Sequence, residues 1–101
     1  MVEELIDGDA YPVAGTVILD FYADWCIPCR VMEQIFNELS GELSDVGFFK
    51  VNADKNSSLA SEFKIMSIPT FIILKDGKEV KRLIGIQDKE ELMAALTKDL
   101  K

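Results

Sequence analysis

Apolar positions along the chain follow several distinct spacings. The run "TVILDFYA", Thr16 to Ala23, is almost wholly apolar and rich in β-branched and aromatic residues. That composition predicts a strand buried on both faces. Beyond it the spacing lengthens, and Val31, Met32, Ile35, Phe36, Leu39 and Leu43 form one stripe at helical intervals. Pro28 suits the first turn of this helix, and Ser40-Gly41 is expected to weaken its end. "VGFFKV", Val46 to Val51, reads as a strand. Asn56 or Ser57 then caps a short helix reaching about Phe63. A strand from Thr70 to Leu74 meets "KDGK", where Asp76-Gly77 marks a tight hairpin. Glu79 to Ile84 returns as a more polar outer strand. Asp88 and Glu91 match a capping box, opening a helix with Leu92, Met93, Leu96 and Leu100 on its core face. At the start, Val2 to Ile6 fits an edge strand, and Asp7 to Gly15 a loop broken by Gly8, Pro12 and Gly15.

The order β-(β-α-β)-α-β-β-α defines an α/β fold. A βαβ unit gives a parallel pair with a right-handed crossover. The hairpin adds an antiparallel strand, so a mixed sheet of four to five strands with helices on both faces is expected. No repeat, linker or low-complexity segment divides the 101 residues, so residues 1–101 read as a single domain.

Composition narrows the function classes. The chain is 49% hydrophobic, enough for a core without staples. Its net charge of −7 leaves no basic patch for nucleic acid or an anionic membrane surface. Solubility is the plain reading of that acidity. Met1-Val2-Glu3-Glu4-Leu5 lacks the basic and apolar regions of a signal peptide, and no apolar run nears the ~20 residues of a membrane span. A cytoplasmic address is therefore expected, where thiols are kept reduced and a permanent disulfide is not expected. The chain has no histidine, which removes Cys-His and Ser-His catalysis and any histidine-containing metal site.

Cysteine chemistry remains. The only two cysteines and the only tryptophan lie in "ADWCIPCRV", residues 23–31. Cys26 ends a strand-to-helix turn and Cys29 falls in the helix's first turn. Positions i and i+3 share a helix face, so the sulfurs reach disulfide distance without backbone movement. Free N–H groups and the positive helix end favour a thiolate, most strongly at Cys26. A redox dithiol competes with half of a zinc site and with two incidental core cysteines. A closed zinc site needs four ligands, and no third cysteine or histidine exists to help supply them. Asp20 is the other anomaly, because a carboxylate in a doubly buried strand is costly unless neutral or paired. The alternative is that it points to solvent.

"VILDFYADWCIPCRVM", "FFKVNADKN", "IMSIPTFIILKDGKEV" and "RLIGIQDKEEL" resemble the successive blocks of the thioredoxin family. They stand in family order and spacing over about residues 16–97. The resemblance implies a thioredoxin fold and thiol–disulfide exchange on protein substrates, with no cofactor and no metal. It implies that Cys26 attacks a substrate disulfide and that Cys29 resolves the mixed disulfide. An exposed, activated first thiol and a shielded second one suit those roles. Asp20 would lie beneath Cys29 with a raised pKa and take its proton through a water, and Lys50 would modulate that charge. Lys50 could equally be an ordinary exposed strand lysine. Ile68–Pro69 is expected to be cis, with the Ile68 backbone open to an extended substrate. Trp25, Ile27, Pro28, Ile68, Pro69, Ile84, Gly85 and Ile86 match the docking groove, Gly85 allowing close backbone approach. Each isoleucine taken alone could also be core.

Three departures from the family pattern stand out. Ile27 replaces the usual glycine between the cysteines. Gln34 replaces a helix-kinking proline, which predicts a straighter helix. The segment before residue 16 is short and is expected to lack the family's first helix, leaving a strand and a loop. The implied partners are a thioredoxin reductase and disulfide-containing proteins, with a monomer expected. Two alternatives stay open: a glutaredoxin-like dithiol protein with another electron donor, and a thioredoxin-fold binding subunit with dispensable cysteines.

Overall fold

The computed structural model describes residues 2–97. Five strands form one mixed sheet: β1 (Val2–Glu4), β2 (Thr16–Tyr22), β3 (Val46–Asn52), β4 (Thr70–Lys75) and β5 (Lys78–Ile84). Three helices connect or follow them: α1 (Ile27–Glu42), α2 (Ser57–Glu62) and α3 (Lys89–Thr97). Spatial order is β1-β3-β2-β4-β5. β3 runs parallel to both β1 and β2, whereas β4 is antiparallel to β2 and β5. The most apolar strand, β2, is thus central, and the polar β5 takes an edge.

Side-chain alternation along β2 separates two cores. Val17, Leu19 and Phe21 pack toward α2 with Phe49, Val51, Leu59, Phe63 and Ile72. Ile18 points to the other face, among Met32, Phe36 and Leu39 of α1 and Leu92, Ala95 and Leu96 of α3. By the same alternation Asp20 lies on the α1 face. Its register partner on β3 is Lys50, which shares that face. Lys89 fastens α3 to α1 through Glu38 at 3.2 Å and Glu42 at 2.5 Å.

The turns follow local chemistry. Asn56 caps α2 by accepting from Leu59 N. Asp76 and Gly77 take φ of 51° and 84°, the left-handed pair of a tight hairpin. Asp88 N donates to Glu91 Oε1 at 3.2 Å, closing half of the expected box. No helix precedes β2 among the described residues.

α1 runs through Ser40-Gly41 and ends at Glu42, with the Ser40 hydroxyl bonded to Asn37 O at 2.7 Å. Two expectations are corrected. Val31 leaves the apolar stripe and is 52% exposed. Met32, Phe36 and Leu39, at i, i+4 and i+7, face the sheet, and Val31 lies about 100° around the helix. The core face of α3 includes Ala95, whereas Leu100 lies outside the described residues. With Gln34 in place of proline, α1 is one uninterrupted 16-residue helix.

Candidate active site

Cys26 is the N-cap of α1, in extended backbone at φ −87° and ψ 107°, and Pro28 follows in the first turn. This placement has two local causes. Strand β2 ends at Tyr22, and Cys26 N donates back to Ala23 O at 3.2 Å, closing the turn. Cys26 Sγ then accepts from Cys29 N at 3.2 Å, using a side-chain acceptor as any N-cap does. No acidic side chain occupies the first turn of α1, so the positive end of the helix dipole acts on the sulfur unopposed from there. Cys26 and Cys29 are joined as a disulfide with Cα atoms 5.3 Å apart.

Each cysteine borders a different opening. Cys26 lines a shallow, mainly apolar groove of about 600 Å³ with Trp25, Ile27, Pro28, Met66 and Ile68. Trp25, Ile27 and Met66 stand in solvent along it, at 69%, 72% and 95% exposure. Cys29 lines a polar cleft of about 530 Å³ with Asp20, Tyr22, Arg30, Glu33 and Lys50.

Asp20 closes the floor of this cleft. It is 5% exposed, and its Oδ1 receives no hydrogen bond among the described residues. Burial is the main force on its carboxyl and pushes the pKa up to about 7. Lys50 opposes that shift, and Glu33 adds to it. The group therefore exchanges a proton near neutral pH. Lys50 itself sits with Nζ 5.6 Å from the Tyr22 ring centre, and Tyr22 donates its hydroxyl to Glu4.

The thioredoxin family model matches residues 10–98. The chain belongs to the thioredoxin family. A thioredoxin of Chlamydia pneumoniae is 43% identical over 90 residues, covering 89% of this chain and 88% of that protein. A thioredoxin structure from Malassezia sympodialis superposes at a TM-score of 0.88 with 32% identity, spanning 100% of this chain and 92% of the other. A Nicotiana alata thioredoxin gives 0.80 with 41% identity over 84% of this chain and 73% of its own. With these relatives and the paired cysteines, the protein is a thiol–disulfide oxidoreductase of thioredoxin fold.

Within that thioredoxin fold the expected residues gather unevenly. Cys29, Asp20 and Lys50 share the cleft, so Asp20 does not point to solvent. Trp25, Ile27, Pro28 and Ile68 share the groove with Cys26. Ile68–Pro69 is cis. Pro69, Ile84, Gly85 and Ile86 are outside the groove's lining, although Gly85 N donates to Pro69 O at 2.8 Å. Ile84 and Ile86 are exposed at 58% and 57%, not core. Gly85 adopts φ +88°, with open space where a Cβ would stand, so its own backbone requires glycine.

One expectation fails. Sequence reasoning puts the first thiol at the surface and the second beneath it, yet in the disulfide both are buried, at 3% and 5%. The two cysteines cluster with Ala23, and Tyr22 and Ile68 pack against that cluster.

Sequence reasoning also misses four residues. Asp54 accepts from Trp25 Nε1 at 2.8 Å and holds the indole at the groove. Asn52, 3% exposed, shapes that turn by accepting from Asp54 N and Lys55 N at 3.0 and 3.1 Å. The sequence cue was the Asn-x-Asp turn signal in "NADK". Glu33 and Met66 follow no periodicity, and only the assembled cavities reveal them.

No described helix is long and apolar enough to cross a membrane. No cluster of three or more metal-ligating side chains occurs among the described residues.

Proposed function

We propose that the chain is a single-domain, monomeric reductase of protein disulfides, with "WCIPC" as its active-site motif and the cytoplasm as its workplace. The observation that carries this reading is the division of the cysteine pair between an apolar groove and an acid-floored cleft.

In the reduced protein the helix end favours the Cys26 thiolate. A substrate docks along Trp25, Ile27 and Pro28, beside Ile68 and Pro69. Backbone–backbone hydrogen bonds among the described residues leave Ile68 unused, which supports strand-like pairing with an extended substrate. Cys26 Sγ attacks one substrate sulfur, forming a mixed disulfide as the other sulfur leaves as a thiolate. Cys29 gives its proton to Asp20, and its thiolate attacks Cys26 Sγ. The Cys26–Cys29 bond forms, the second substrate thiolate leaves, and two electrons have passed to the substrate. Lys50 tempers the Asp20 charge that this transfer creates. Ile84, Gly85 and Ile86 flank the docking region. A thioredoxin reductase returns the two electrons.

Reduction of insulin disulfides tests this function, driven first by a small dithiol and then by NADPH with candidate thioredoxin reductases. Turnover with both is expected. Turnover with the dithiol and with no reductase would favour a glutaredoxin-like electron donor.

A further inference from the structure

Met66 is the most exposed large apolar side chain among the described residues, at 95%. It lines the rim of the groove that contains Cys26, distant from Ile27 and Pro28 in sequence but sharing their cavity. The chain's other described methionines are differently placed. Met32 is fully buried on the sheet-facing side of α1, where its sulfur accepts from Gln87 N at 3.4 Å. Met93 is partly buried against the same core. An unbranched thioether adapts to varied apolar partners, so Met66 suits a docking lip. The same atom is open to two-electron oxidants in a way that Met32 is not.

We propose that Met66 is a peroxide-sensitive specificity residue: its oxidation to the sulfoxide turns the apolar lip polar and weakens docking of protein disulfides. In the step, the thioether sulfur takes one oxygen from hydrogen peroxide and water leaves. The sulfur is oxidised by two electrons as the O–O bond is reduced. The Cys26–Cys29 disulfide is spared, because no thiolate is present to compete. Chemistry at Cys26 is untouched, so only substrates large enough to reach the lip are affected. The inference rests on the groove being the docking surface of a disulfide reductase.

The test begins with the disulfide form treated with hydrogen peroxide, followed by peptide mass analysis. The protein is then reduced with a small dithiol and assayed against insulin and against a small aromatic disulfide. Met66 should gain one oxygen before Met32 or Met93. KM for insulin should rise about three- to tenfold, the scale of losing part of a methionine's burial. The rate with the small disulfide should stay within about twofold of its starting value by the same argument. The insulin KM of Met66→Leu, whatever its starting value, should be the same before and after peroxide treatment, and Met66→Gln should show a raised KM without it. Equal loss of insulin activity in Met66→Leu would overturn the proposal, as would an unchanged KM in fully oxidised wild type. Untreated protein inactive on both disulfides would overturn the reductase reading, and the proposal with it.

Discussion

Cys26 and Cys29, bonded to each other across a separation of 3 residues, open onto different cavities. The N-cap position gives Cys26 the helix end and the apolar groove. One turn later, Cys29 meets the cleft floored by Asp20. This asymmetry predicts unequal thiols once the bridge is reduced. Iodoacetamide should alkylate Cys26 at least about tenfold faster than Cys29 at pH 7, because the thiolate is the reactive form. Peptide mass analysis against time measures the ratio.

Asp20 should set a pH dependence of stability. Its folded pKa is raised, from 3.8 to about 7, chiefly by burial. The stability that accompanies the neutral carboxyl is complete below about 3.8 and falls as pH rises toward 7. Above pH 7 the buried charge acts against folding in full. That interval corresponds to roughly 4 kcal/mol at about 1.4 kcal/mol per pH unit. Asp20→Asn should therefore stabilise the disulfide form by up to about this amount at pH 8 and by little at pH 4. Urea unfolding at the two pH values measures both arms. The same variant should slow turnover if Asp20 takes the Cys29 proton as proposed.

Neighbouring charges should move Asp20 in opposite directions. Lys50 lowers its pKa and Glu33 raises it, so Lys50→Met should raise the Asp20 midpoint and Glu33→Gln should lower it. Carbon-detected NMR titration of the Asp20 carboxyl reads each shift directly. Tyr22, Asp24 and Arg30 also line the cleft and are kept in both variants.

The central and outer strands and the helix positions were legible because each element has its own rhythm, whereas the pairing of β1 with β3 and of β2 with β4 was not. β2 is apolar on both faces and therefore central, and the Asp76-Gly77 turn forces the β4–β5 hairpin. Asp20 was legible as an anomaly, a lone carboxylate in an apolar strand. Its partners were less so. Lys50 is tied to it by strand register, which a single strand's pattern does not contain. Glu33 arrives from α1, and Asp54 reaches Trp25 from the turn after β3. Such contacts depend on how elements cross. Burial of Cys26 was missed for the same reason: Ile68, far along the chain, packs against the cluster that Cys26 forms with Ala23 and Cys29.

Ile27 is 72% exposed and lines the groove beside Cys26, so it is not core, and the proposed docking role is open to test. Ile27→Gly should fold normally, apart from a helix-start cost of about 0.5–1 kcal/mol. Its rate with a small disulfide should be nearly unchanged. KM for insulin should rise severalfold from lost apolar contact. Steady-state kinetics on the two substrates separates these effects.

The central claim is that Cys26 attacks and Cys29 resolves. Its most direct test is Cys29→Ser incubated with a protein disulfide and analysed by non-reducing mass spectrometry. A stable covalent complex linked through Cys26 is predicted, and dithiothreitol should dissolve it. Absence of any trapped species would contradict the account, as would the same complex forming in Cys26→Ser through Cys29.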